Sequence, residues 1–252
     1  MDDKKWKGVW LEEERNSVRG WDFSRLDFRW RRDSLPWDYR SVVLKYLRPA
    51  DRLLDLGTGG GEFLLSLGHP WGRTAVTESW PPNQQLCMKT LAPLGIQVYP
   101  TCSGAPLPLA ENSFDIVIDR QAAYDLEEVR RVLKPGGVFV TQQVGSRNCS
   151  SLADRINLEA VPDGREFSIE TELPRFRQSG FLIERADECF PVLRFFDVGA
   201  IVFWAKAIKW SFPDFSVEKN FERLCALQDD LLRDGCVATL EHRFMVAARI
   251  EK

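Results

Sequence analysis

The chain has 252 residues, 44% hydrophobic and 28% charged, a balance that excludes intrinsic disorder and allows one large α/β domain, with or without an added cap. A net charge of −3 excludes a nucleic-acid-binding polycation as a whole-chain description, leaving local patches open. The longest apolar run, Val198 to Ala205, is too short to span a bilayer, and the opening Met-Asp-Asp-Lys-Lys-Trp lacks the apolar core of a signal peptide. A cytoplasmic protein without membrane contact is expected.

Residues 1–48 interleave Trp6, Trp10, Trp21, Trp30 and Trp37 with Arg15, Arg19, Arg25, Arg29, Arg31, Arg32 and Arg40. Acidic residues offset much of that charge. The stretch reads as a helical arm or cap packed by its aromatic residues, with a helix over Ser41–Leu47 that ends near Pro49. Residues 49–252 then read as one domain, with cap or insert helices over 145–235.

From Arg52 the pattern becomes βαβ. Leu53–Leu56 is a short buried strand, followed by a glycine turn and a helix over Glu62–Leu67. A second strand is expected at Thr74–Thr77, a helix at Pro82–Leu91 and a third strand at Gln97–Tyr99. Phe114–Ile118 is an apolar run interrupted only by Asp115, as expected of a strand buried on both faces. Leu126–Leu133 reads as a helix closed by Lys134-Pro135-Gly136-Gly137, and Val138–Val144 as the next strand. Alternation of this kind implies a parallel sheet with right-handed crossovers. Beyond Gly145, helices are expected at Asn148–Ala160, Ile169–Gln178, Asp197–Ile208 and Val217–Arg233. Strands are expected at Phe181–Glu188 and Ala238–Ile250.

The glycine turn is the most informative stretch: Leu53-Leu54-Asp55-Leu56-Gly57-Thr58-Gly59-Gly60-Gly61-Glu62-Phe63. Glycine lets a ligand approach the backbone closely. A P-loop needs Gly-Lys-Ser/Thr, which is absent. The dinucleotide pattern Gly-x-Gly-x-x-Gly fails, because its third glycine falls on Glu62. What remains is Asp-x-Gly-x-Gly-x-Gly. An acid inside the turn is a poor neighbour for pyrophosphate and a good one for an ammonium group. Glu78, at the end of the next strand, is placed to accept hydrogen bonds from ribose hydroxyls.

Asp55, Gly57, Gly59 and Gly61 resemble motif I of the class I methyltransferases. Two further stretches resemble the same family, in its type 11 and ubiquinone/menaquinone-biosynthesis branches. They are Leu107-Pro108-Leu109-Ala110-Glu111-Asn112-Ser113-Phe114-Asp115-Ile116-Val117 and Glu128-Val129-Arg130-Arg131-Val132-Leu133-Lys134-Pro135-Gly136-Gly137. The resemblance covers about residues 50–145. It implies a Rossmann-like α/β fold, with a seven-stranded sheet parallel except for its last strand and helices on both faces. It also implies S-adenosylmethionine as cofactor.

The cofactor residues it implies are Asp55, Gly57, Thr58, Gly59 and Gly61 for the methionine part, Glu78 and Ser79 for the ribose, and Trp80 beside the adenine. The family's adenine-contacting aspartate is replaced by Ser103, with the backbone of Gly104 as its alternative partner. Asp119, after the Phe114–Ile118 strand, is a candidate for cofactor contact and for general base. Tyr124 is a second catalytic candidate.

The six cysteines form no Cys-x-x-Cys pair, and only His69 and His242 supply imidazoles, so no metal site is expected. The expected reaction is methyl transfer to a small-molecule acceptor by in-line displacement. An RNA methyltransferase is the alternative: Asp119-Arg120-Gln121-Ala122-Ala123-Tyr124 and the residues to Gly137, with Ser103, also resemble rRNA guanine-N1 methyltransferases. Those carry an N-terminal zinc module of cysteines, and this chain has no cysteine before Cys87.

Overall fold

A computed structural model describes residues 3–16, 23–102, 104–156, 166–209 and 211–251. Arg19, Trp21, Ser103 and the end of the Asn148–Ala160 helix lie outside the described residues. The elements are α1 (Asp3–Arg15), β1 (Trp30–Arg32), α2 (Tyr39–Tyr46), β2 (Leu53–Leu56), α3 (Glu62–Ser66), β3 (Thr74–Glu78), α4 (Pro81–Thr90), β4 (Gln97–Pro100), β5 (Phe114–Arg120) and α5 (Leu126–Val132). They continue as β6 (Leu133–Val144), α6 (Ser150–Ile156), α7 (Ile169–Gln178), β7 (Phe181–Cys189), β8 (Val192–Phe195), α8 (Val198–Ala207), α9 (Val217–Asp234), β9 (Val237–Leu240) and β10 (Arg243–Ile250).

Two compact units share the chain. One takes residues 36–145, 167–188 and 243–252; the other takes 1–35, 146–166 and 189–242.

The first unit holds a seven-stranded sheet in the order β4-β3-β2-β5-β6-β10-β7. Pairing is parallel from β4 through β6, and β10 runs antiparallel to β6. This is the Rossmann-like α/β sheet expected from the motifs. Every residue of β2 and β3 is buried, including the polar Asp55, Thr74, Thr77 and Glu78. Leu54, Val117, Phe139, Phe176, Phe181 and Phe244 lie in one core cluster with the inner faces of α5 and α7. Asp125 caps α5 through Glu127 N, and Ser168 caps α7 in a reciprocal capping box with Thr171.

Two strand assignments differ from the sequence reading. Lys134-Pro135-Gly136-Gly137 does not close a helix from outside; it belongs to β6, where Leu133 pairs with Phe114 across an irregular register. The Ala238–Ile250 strand is two strands, β9 and β10, in different sheets. The break falls at Glu241 and His242, both fully buried.

The second unit holds an antiparallel sheet, β1-β8-β9, which the sequence reading missed. Its core includes Trp10, Phe195, Phe212 and Leu224. Helix α8 is buried along Val198–Ala205 on all its faces, so its apolar run is core rather than pocket wall. Trp30 and Trp204 meet at 5.2 Å between ring centroids, and Trp6 stacks on Trp10 at 6.1 Å. Arg29 forks onto Asp197 at 2.9 and 2.6 Å and reaches Glu13 at 3.1 Å. Arg25 pairs with Glu13 and Arg32 with Glu241. His242 accepts a hydrogen bond at Nδ1 from Arg147 N and stacks on Phe190, a structural placement.

Candidate functional site

The C-terminal ends of β2, β3 and β5 lie side by side in the sheet, and the glycine turn leaves from the end of β2. In open α/β sheets this is the edge at which ligands bind. Gly57 and Gly61 both take positive φ, 61° and 86°. Neither has room for a side chain: a Cβ at Gly57 would lie 2.4 Å from that of Ala122, and one at Gly61 would lie 2.8 Å from the Leu91 methyls. The space beside Gly59 is open, with no atom within 4 Å of a Cβ built there. The turn therefore packs tightly at its two ends and leaves its middle peptide accessible.

Neighbouring residues pin that middle peptide. Gly59 N donates to Glu78 Oε2 at 2.9 Å, and Cys87 Sγ donates to Gly59 O at 3.2 Å. Thr58 N donates to Thr77 O, and Gly57 N to Thr77 Oγ1. Glu78 also accepts at Oε1 from Ser79 N and Trp80 N, at 2.8 and 2.9 Å, while Asn83 Nδ2 stands 3.5 Å from Oε2. The carboxylate thus binds the glycine turn to the start of α4. Ser79 and Trp80 are exposed beyond it. Gly104 is also exposed, with φ of 76°.

Asp55 is buried on β2. Burial pushes its carboxyl up to about 7; the Thr58 hydroxyl and Arg120 pull it down, and the Glu78 charge adds to the rise. Asp119 is fully buried at the end of β5. Its Oδ1 accepts from Gln143 Nε2 at 2.7 Å and Ala122 N at 3.1 Å, while Oδ2 has no partner among the described residues. Burial raises this carboxyl well above the carboxylate range, and the neighbouring Asp55 charge raises it further. Two acids are thus brought together at one sheet edge, one of them with an unused oxygen. That arrangement favours a cationic group.

Several residues of this edge were not singled out in the sequence. The Tyr39 hydroxyl bridges the carbonyls of Asp119 and Val140, at 2.8 and 2.9 Å, and accepts from Asp119 N. Trp37 Nε1 donates to Gln142 Oε1 at 2.8 Å. These bonds tie Trp37 and Tyr39 to the sheet within their own unit. Phe63 packs on Tyr39, and the Arg120 guanidinium lies over the Phe63 ring. An aromatic residue just inside the turn was visible, but its partners come from distant segments.

Tyr124 is placed differently. Its ring packs on Phe139 and Phe176, and its hydroxyl donates to the fully buried Glu172, which Arg175 also holds. That hydroxyl is committed to α7. Among the described residues, no group of His, Cys, Asp and Glu is arranged to hold a metal, and no helix is long and apolar enough to cross a membrane.

Residues 54–141 match the methyltransferase domain family. No curated relative matches the sequence. Among solved structures, the YcgJ protein of Bacillus subtilis is similar, at 16% identity and a TM-score of 0.58, over 85% of this chain and 98% of that one. A sarcosine dimethylglycine methyltransferase assignment from Galdieria sulphuraria aligns at 19% identity and 0.52, over 99% and 98%. A Haloferax volcanii protein solved in complex with a methyltransferase activator aligns at 18% and 0.53, over 94% and 100%. At these identities the structures establish a shared fold.

Proposed function

From the premise that the chain is a class I, Rossmann-like methyltransferase with its methyltransferase domain in residues 54–141, we infer that it moves a methyl group from S-adenosylmethionine to a small-molecule acceptor. The observation that carries this reading is the bond from Gly59 N to Glu78 Oε2, beside open space at Gly59. It joins an accessible turn to a buried acid on the adjacent strand.

The residues present fit such a ligand. Asp55 and the unused Oδ2 of Asp119 suit its ammonium group. Gly57, Thr58, Gly59 and Gly61 supply backbone for the amino-acid end. Glu78 and Ser79 serve the ribose hydroxyls, which replace part of the present set of N–H donors on the carboxylate. Trp80, 45% exposed, offers an aromatic face to the adenine, with the backbone of Gly104 at the ring edge. The bound donor supplies a methyl group activated on a sulfonium. The protein's task is to hold the reactants aligned, which is worth roughly 7–11 kcal/mol. Asp119 is the candidate for taking a proton from an OH or NH acceptor, a contribution of about 10²–10⁴-fold.

A small acceptor is favoured over RNA by the arm's own contacts. Arg25, Arg29 and Arg32 are ion-paired with Glu13, Asp197 and Glu241, and Trp6, Trp10 and Trp30 are packed against other rings. Phosphate clamps and base-stacking platforms need those groups free.

The test is Glu78→Ala, with Glu78→Gln beside it. Loss of a hydrogen bond to a charged group, about 1.5–3 kcal/mol, weakens S-adenosylmethionine binding by about 10- to 150-fold for the alanine variant. Unchanged affinity by calorimetry removes Glu78 from the site.

A further inference from the structure

Arg120 ends β5, one residue beyond Asp119. It is exposed, and an exposed arginine is ordinarily a solvated one. This one is held. Its guanidinium lies 4.6 Å from the centroid of Phe63, the second residue of α3, and Phe63 packs on Tyr39 at 5.2 Å. The cation is therefore kept beside the helix that opens from the glycine turn. Among the described residues the guanidinium has this ring contact and no ion pair or hydrogen bond, so its donor fork is unused. It is close enough to Asp55 for its charge to pull that carboxyl down against the effect of burial.

The sheet edge thus carries two opposite charges that are not bonded to each other. Asp55 is a buried acid. Arg120 is a cation whose planar fork matches a carboxylate two-pronged. An α-amino acid has the complementary pair, an ammonium and a carboxylate on the same carbon. Arg40, by contrast, is committed to the Ser66 carbonyl.

We propose that Arg120 is the carboxylate-recognising residue of this site, binding the α-carboxylate of the ligand whose ammonium faces Asp55. The assignment rests on the S-adenosylmethionine reading, because that donor has an amino-acid end. A carboxylate on the acceptor presents the same chemistry, and the test separates the two sources.

The experiment is calorimetric titration of the wild type, Arg120→Ala and Arg120→Lys with S-adenosylmethionine and with its decarboxylated analogue. The analogue keeps the ammonium, sulfonium and nucleoside. The wild type is expected to bind the parent at least about tenfold more tightly, the ratio equivalent to one hydrogen bond to a charged group. Arg120→Ala is expected to bind both alike, at the level of the analogue on the wild type. Arg120→Lys recovers part of the difference, since an ammonium keeps the charge and loses the fork. Melting curves that superimpose on the wild type's establish that the variants fold.

A wild type that does not discriminate, or an alanine variant that discriminates as well as the wild type, overturns the assignment to the donor. Affinity for S-adenosylmethionine unchanged in Arg120→Ala overturns it in favour of a carboxylate on the acceptor. Failure of both nucleosides to bind the wild type overturns the reading of the glycine turn itself, and the role of Arg120 falls with it.

Discussion

Asp55 and Glu78 stand on neighbouring parallel strands and are both buried, but they are held in different ways. Glu78 is surrounded by N–H donors, while burial dominates at Asp55 and lifts its carboxyl to about 7. A cationic ligand favours the ionised form, so affinity for S-adenosylmethionine is expected to rise with pH and level off above 7. Below that, it falls by up to about tenfold per pH unit for a single proton. Dissociation constants at pH 6, 7 and 8 check this; a flat profile excludes Asp55 as the ammonium's partner. The same shift acts on stability with a definite sign. The unfolded chain loses this proton near pH 4 and the folded one near 7, so between those values the folded state binds more protons. Stability due to Asp55 therefore declines as pH rises through that window and is lowest above 7. Asp55→Asn is expected to raise the melting temperature by a few degrees at pH 8 while weakening donor binding. Tyr124→Phe separates structure from catalysis: it strips a hydrogen bond from buried Glu172. A loss of about 1–3 kcal/mol of stability with turnover retained is expected; lost turnover at unchanged stability returns Tyr124 to the chemistry. The glycine turn and Glu78 were legible because motif chemistry is local in sequence. Tyr39 and Gln143 were not, since they reach Asp119 across 80 and 24 residues, and no local spacing announces such bonds.

At the scale of elements, the turn between β2 and α3 is the most constrained piece. Gly61 has φ of 86° and no room beside Leu91, so Gly61→Ala meets both a backbone and a packing penalty. Each is of order 1–3 kcal/mol, so a clear fall in the denaturation midpoint is expected. A variant as stable as the wild type contradicts the close packing of α3 on the α4 end. Strands at the centre of the sheet were readable from short, mostly apolar runs, as in Leu53–Leu56 and Phe114–Ile118, each interrupted by one aspartate. Short strands were not. Trp30-Arg31-Arg32 is a strand because Asp33 N and Phe196 N bond across to Val192 O and Arg29 O, partners that sequence periodicity cannot reveal. The division of Ala238–Ile250 was hidden for a related reason. Glu241-His242-Arg243 interrupts the stretch without a glycine or proline to announce a turn, and the buried pair Glu241 and His242 marks where one sheet ends and another begins.

At the scale of the whole chain, the sheet unit and the unit of 1–35, 146–166 and 189–242 differ in what builds them. The first is a parallel sheet whose strand ends gather acids, glycines and one unpaired arginine. The second is held by stacked tryptophans, the buried α8 and ion pairs that engage Arg25, Arg29 and Arg32 of the arm. The central claim concerns the first unit, and calorimetric titration of the intact chain with S-adenosylmethionine and, separately, with NAD tests it most directly. Micromolar binding of S-adenosylmethionine with no heat from NAD is the predicted result. Binding of NAD, or of neither, contradicts it.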